Sequence, residues 1–169
     1  AKELIIRGGH NIDPKTIEEA LAKHPAVNLA AAVGRPDSYA GEIPVAYVDT
    51  VAKTSTEELL TFCRQHIGER AAVPKDIVIL DKLPVTAVGR IHKPTLHLLE
   101  IEWVVRKELE QFATRLSNCQ VVAEADKKRG NTARITMAPR DTGDTKAIEH
   151  AIRKALDVYT FSYDITFQP

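Results

Sequence analysis

The stretch Leu83-Pro84-Val85-Thr86-Ala87-Val88-Gly89-Arg90-Ile91-His92-Lys93 decides how this chain is read, taken with Leu4-Ile5-Ile6-Arg7-Gly8-Gly9-His10-Asn11-Ile12-Asp13-Pro14 near the start. In the second of these, Leu4-Ile5-Ile6 and His10-Asn11-Ile12 flank Gly8-Gly9, the pattern of a hairpin or sharply bent ribbon with exposed backbone at its tip. Asp13-Pro14 then predicts a helix start. The carboxylate can cap free N–H groups, the proline suits a first turn, and Ile17, Ala20 and Leu21 recur at helical spacing.

Working outward, Val27 to Val33 and Ile43 to Val51 are apolar, β-rich runs expected to pair as strands. The composition of Gly34-Arg35-Pro36-Asp37 predicts the turn between them. Ser55-Thr56-Glu57-Glu58 opens a second helix whose Leu59, Leu60, Cys63 and Ile67 face a core, and Ala71-Ala72-Val73-Pro74-Lys75 leads into a strand over Ile77 to Leu80. Leu98, Ile101, Val105, Leu109, Phe112 and Leu116 step along one helix face, which predicts a helix bridging two halves. Cys119 to Ala125 and Thr132 to Ala138 flank Lys127-Lys128-Arg129-Gly130-Asn131, a hairpin with a basic tip. Ala147, Ile148, Ala151, Ile152, Ala155 and Leu156 form another helical stripe, and Tyr159, Phe161, Tyr163, Ile165 and Phe167 alternate with polar residues as in a half-buried strand. An antiparallel three-stranded sheet against two helices is expected, with Arg140-Asp141-Thr142-Gly143-Asp144 as a mobile loop.

A chain of 169 residues holds one domain or two small ones, and 44% apolar with 27% charged residues is ordinary for a folded protein. Lys+Arg and Asp+Glu both number 23, which leaves no electrostatic footprint for nucleic acid or an anionic membrane. Three cations at one turn of a neutral chain read as solvated. Cys63 and Cys119 lack metal-type spacing and fit a reduced, cytoplasmic protein. No apolar run is long enough to span a bilayer and no signal peptide is visible. His92 and His97 do not make a helical metal pair, and Cys63 with His66 reads as core packing beside a polar edge.

The two opening stretches resemble the mobile C-terminal domain of AMP-forming acyl-CoA synthetases, in which a Gly-containing hairpin followed by Ile-x-Pro-x-Glu-Ile-Glu opens the small domain and Pro-x-Thr-x-x-Gly-Lys-Ile closes the catalytic loop. Val33-Gly34-Arg35-Pro36-Asp37-Ser38-Tyr39-Ala40-Gly41-Glu42 is similar to a third motif of that family, Val-Gly-x-Pro-Asp-x-x-x-Gly-Glu. The resemblance covers about residues 1–97 and, by Gly9-His10-Asn11-Ile12-Asp13-Pro14, points to bacterial fatty-acyl-CoA synthases. It implies an α+β fold for residues 1–97, a lid domain with a small mixed sheet, flanking helices and an N-terminal β-hairpin; the patterns of the tail add an αββαβ extension in residues 98–169. It also implies a ligase that uses ATP and Mg2+ to form an acyl-adenylate, then transfers the acyl group to CoA. No nucleotide-binding loop is visible here, so the chain is expected to be a domain that cannot complete the reaction without an N-terminal adenylation domain.

The resemblance implies roles for single residues as well. Lys2 falls at the hinge, although a solvated terminal lysine would read the same. Arg90 falls at the catalytic Lys, with Lys93 able to supply an ammonium in its place, and an exposed loop cation as the plain alternative. Gly8, Gly9 and His10 border the path of the CoA thiol, where Gly9 would let the pantetheine pass close to the backbone. Arg7 and Lys75 are candidates for CoA phosphate contacts, each equally readable as a solvated cation. A second reading, a binding module or homodimer without chemistry, rests on the open sheet edge expected in the tail.

Overall fold

The computed structural model describes residues 3–169. Contacts divide the chain into two compact units, Ala1–His97 and Leu98–Pro169. The first opens with β1 (Ile5–Arg7) and β2 (His10–Ile12), antiparallel partners in the register Ile5↔Ile12, Ile6↔Asn11 and Arg7↔His10. That register leaves only Gly8 and Gly9 for the turn. The side chain of Asp13 accepts from Lys15 N at 3.1 Å and caps α1 (Pro14–Ala22), with Pro14 in its first turn. Ser55 does the same for α2 (Thr56–His66), its hydroxyl accepting from Glu58 N at 3.1 Å.

β3 (Val27–Asp37) and β4 (Gly41–Thr50) form a long antiparallel pair, and β5 (Asp76–Ile79) runs parallel to β4. β3 occupies one edge of β4, so β1 (at Gly41) and β5 (over Val45–Val48) share the other. Ile12, Ile17, Leu21, Ala32, Ala46, Val48, Leu59, Cys63 and Ile77 make the core beneath α1 and α2. The segments Ala31–Arg35 and Pro44–Asp49 are buried without a break, the pattern of strands covered on both faces.

The turn between β3 and β4 is not at Gly34-Arg35-Pro36-Asp37, which all lie in β3. The chain reverses at Ser38-Tyr39-Ala40, where the Asp37 carboxylate accepts from Tyr39 N (3.1 Å) and Ala40 N (2.7 Å). Three features keep the turn-like residues extended. β3 is an edge strand, so Pro36 forfeits no ladder bond that the sheet needs. Arg35 is 5% exposed and donates to Asp76 at 3.0 Å. Gly34 leaves room for the Glu42 side chain: a Cβ there would sit 2.1 Å from Glu42 Oε2. The other oxygen of that carboxylate accepts from Ile6 N at 3.1 Å and so ties the hairpin to β4.

The second unit contains most of α3 (Lys93–Leu109), then β6 (Leu116–Asp126), β7 (Gly130–Pro139), α4 (Thr145–Leu156) and β8 (Ser162–Phe167). The stripe read as one long helix splits in three. Ile101, Val105 and Leu109 lie in α3, Phe112 in a 3-10 segment and Leu116 at the start of β6, yet all enter one core with Val121, Ile135, Met137, Ile148, Ile152 and Leu156. The sheet order is β6-β7-β8, and β8 is parallel to β7, not antiparallel as expected. α4 is the reason: a helix carrying the chain back across the sheet returns it in the same direction. The segment expected as a mobile loop is a 3-10 turn over Thr142–Asp144, capped by Asp141 on Gly143 N at 2.9 Å. Nor is the basic tip simply solvated. Arg129 donates to both Asp164 oxygens (2.8 and 2.6 Å), and those bonds hold the Asp164 carboxyl below the usual carboxylate range.

Replacing Gly34 by Ala should push the Glu42 carboxylate off Ile6 N and lower stability by about 1–3 kcal/mol, the scale for losing a charge-assisted hydrogen bond. Urea denaturation checks this; an unchanged midpoint would mean that Glu42 repositions at no cost.

Candidate functional site

The chemistry-bearing residues of the first unit fall into three places: the hairpin tip, a cationic cleft beside it, and the closing loop. Gly8 has φ +56°, a left-handed conformation that side chains disfavour, as the first residue of a tight hairpin turn requires. Its N–H donates to Ala40 O at 2.8 Å, fixing the tip against the β3–β4 turn. Gly9 is different. It is absent from the positive-φ glycines, and a Cβ built on it meets nothing within 4 Å. Within this chain neither backbone strain nor crowding demands glycine at position 9.

The cleft is lined by Arg7, His10, Glu69, Arg70, Ala71 and Lys75 and encloses about 500 Å³. Arg7 Nη1 donates to Ala71 O at 2.9 Å, which joins the hairpin to the 3-10 turn Arg70–Ala72. His10 Nδ1 stands 4.0 Å from Glu69 Oε1. Lys75 is placed by its backbone, which donates to Pro44 O at 2.8 Å, and its side chain is exposed. The structure thus brings Arg7, His10 and Lys75 to one cleft. It adds Arg70, which sequence reasoning passed over because Glu69-Arg70 lies in a connection with no motif of its own. With cations outnumbering the single carboxylate, the cleft suits an anionic, phosphate-bearing ligand.

The closing loop is a small braced turn. Val85 bridges Ile91, Thr86 N donates to Arg90 O (2.7 Å), Gly89 N to Thr86 O (2.9 Å) and His92 N to Pro84 O (2.8 Å). Gly89 has φ +79°, and Arg90 N donates to Thr86 Oγ1 at 3.2 Å. The Arg90 side chain is exposed and has no hydrogen-bond or ion-pair partner among the described residues. Lys93 is engaged: its Nζ lies 2.9 Å from Glu18 Oε2, and both side chains are about three-quarters buried. Of the two candidate cations, Arg90 is the one available to a ligand.

Other candidates have structural partners. His92 Nδ1 meets Thr95 Oγ1 at 2.7 Å, and His97 Nε2 meets Glu3 Oε1 at 2.5 Å. Cys63 is buried in the core, where burial pushes its thiol up to about 11, and burial raises Cys119 as well, so neither is a poised nucleophile. Lys2, the hinge candidate, lies outside the described residues. Among the described residues no helix is long and apolar enough to cross a membrane.

With this geometry in hand, the family of known proteins that the chain resembles is specific. Residues 16–90 match the AMP-binding enzyme C-terminal domain. A marinolic acid–CoA ligase of Pseudoalteromonas sp. (strain SANK 73390) is 40% identical over 171 residues, covering 99% of this chain and 26% of the ligase. A long-chain-fatty-acid–CoA ligase of Bacillus subtilis (strain 168) is 45% identical over 92 residues, 53% of this chain and 16% of that protein. The crystal structure of an acyl-CoA synthetase from Brucella canis superposes with a TM-score of 0.56 at 35% identity, over 61% of this chain and 20% of that one. The chain therefore spans about a quarter or less of these relatives, and the first of them is similar through the second unit as well as the first.

The contrast between the two glycines has a direct consequence for stability. Gly8→Ala should cost about 1–2 kcal/mol for forcing a side chain into the left-handed region. Gly9→Ala should be neutral or stabilise by up to about 1 kcal/mol, because it only stiffens the unfolded chain. Equal losses at both positions in thermal denaturation would mean that Gly9 is a structural turn residue.

Proposed function

We propose that this chain, which belongs to the AMP-binding enzyme C-terminal domain family through residues 16–90, is the mobile domain of an acid–CoA ligase. The ligase joins a carboxylic acid, of the fatty type, to CoA at the expense of ATP, with Mg2+ accompanying the nucleotide. A preceding adenylation domain of the same polypeptide supplies the nucleotide and acyl pockets. The observation that carries this reading is Arg90: an exposed guanidinium with no partner among the described residues, on a turn braced by its own backbone, at the position where the family motif has lysine.

In the first half-reaction the substrate carboxylate attacks the α-phosphate of ATP and pyrophosphate leaves. Arg90 would meet the negative charge that builds on the phosphate and carboxylate oxygens. A guanidinium spreads its charge over a planar fork where an ammonium concentrates it, so the exchange of Lys for Arg is not neutral in rate. In the second half-reaction the CoA sulfur attacks the acyl carbonyl of the adenylate and AMP leaves. Gly9 would border the pantetheine arm there, which accounts for a glycine that the fold itself does not need. The cleft of Arg7, His10, Arg70 and Lys75 would hold the phosphates of CoA. Lys2, at the entry to the unit, is the proposed pivot between the two arrangements.

In the full-length ligase, Arg90→Ala should depress pyrophosphate release by about 10² to 10³-fold, the scale for removing one electrostatic donor, and spare thioester formation from supplied acyl-adenylate. Arg90→Lys should match or exceed the parent rate. An Arg90→Ala enzyme that adenylates normally would remove the assignment. Purified alone, this chain should release no AMP above background from ATP, CoA and a fatty acid.

Gly9→Leu addresses the other surface. Pyrophosphate release should persist while thioester formation falls by about 10²-fold or more, since misplacing the nucleophile's path by an ångström is that costly. Equal loss of both steps in paired half-reaction assays would place the effect on folding.

A further inference from the structure

The loop that carries Arg90 begins and ends on carboxylates that come from elsewhere in the fold. At its near end stands Asp49, 4% exposed. Asp49 Oδ1 accepts from Asn28 Nδ2 (2.9 Å) and Leu29 N (3.0 Å), where a register shift interrupts the β3–β4 ladder, and Oδ2 accepts from Leu83 N (3.0 Å). At the far end, Glu18 Oε2 accepts from Ala32 N (2.9 Å) and meets Lys93 Nζ (2.9 Å). Each carboxylate therefore ties one end of the loop to β3. Between the ends the loop bonds, among the described residues, only to itself, and its outer side chains are open, Val88 being 81% exposed. At the near end the Leu83 side chain is itself buried (1% exposed), so the height and direction of the exposed tip follow from how the two ends are held.

We propose that Asp49 and Glu18 are positioning residues for Arg90, acting from a distance by clamping Leu83 and Lys93 so that the guanidinium is presented in one place. This rests on the reading of Arg90 as the adenylation cation. The physical requirement is severe, because an electrostatic donor acts in full only when its geometry is set before the reaction. Both clamps are hydrogen bonds to a carboxylate, the stronger class of such bonds, and Asp49 is buried, where water competes poorly for its donors. Asp49 also completes the strand pairing at Leu29, so a merely structural role has to be separated from a positioning one.

Asp49→Asn makes that separation. Its carbonyl oxygen can keep Asn28 and Leu29 as donors, while its NH2 faces the Leu83 N–H and loses that bond alone. In the full-length ligase, amide exchange at Gly89 and Arg90 should rise about tenfold, with β3 and β4 unchanged. Pyrophosphate release should fall about tenfold while thioester formation from supplied acyl-adenylate holds. The decisive arm is the pair with Arg90→Ala: a residue that acts through Arg90 should add nothing once Arg90 is gone. Glu18→Gln, which neutralises the partner of Lys93, should behave the same way with a smaller effect. Additive losses, equal losses in both half-reactions, or unchanged loop exchange would each overturn the clamp. If Arg90→Ala alone leaves adenylation intact, the assignment of Arg90 fails and the positioning role falls with it. Loop exchange still reports on its own whether Asp49 restrains the turn.

Discussion

Much of the first unit depends on β4 having a partner along both edges. β3 takes one edge over the whole strand, and β1 and β5 divide the other. Buried backbone groups have to be paired, so this division fixes where the short hairpin and β5 can go. It also fixes where the surfaces proposed to act are placed. The hairpin tip is held where β1 meets Gly41, Lys75 is held by Pro44 O, and the closing loop departs from Asp49 near the end of β4. Hairpin, cleft and loop are three attachments to one strand.

Side chains then finish what the ladder begins. The Glu42 carboxylate, seated against Gly34, accepts the Ile6 N–H that the sheet does not use. Arg35, buried beside Asp76, links β3 to β5 across β4. With Arg35 buried and Asp76 about one-third exposed, such a pair adds little net stability and serves to hold the two strands in register. Both contacts are made by residues that look, one at a time, like parts of an exposed turn.

How much of this the sequence discloses depends on whether the information is local. The hairpin, the Asp13 and Ser55 caps and the helical stripes are legible because a few adjacent residues carry their chemistry. The β3–β4 turn is misread because Gly34 and Pro36 are turn formers whose extended state is fixed by Glu42 and by an edge position, both distant or topological. The direction of β8 is hidden for a similar reason: alternation of Tyr163, Ile165 and Phe167 reveals a face, not a direction. At the site, the motif around Arg90 is legible. The engagement of Lys93 by Glu18 and the anchoring of Leu83 by Asp49 join residues far apart in sequence, and no pattern announces them.

On the proposed reading, one small domain offers two surfaces in turn, the Arg90 loop for adenylation and the Gly9 hairpin for thioester formation. The most direct measurement is a distance between two spin labels in the full-length ligase, one at exposed Val88 beside Arg90 and one on the adenylation domain. With ATP and acid the label should lie close to the nucleotide site, and with an acyl-adenylate analogue and CoA a second, longer distance should replace the first. A single distance that persists through all ligand states would contradict the account.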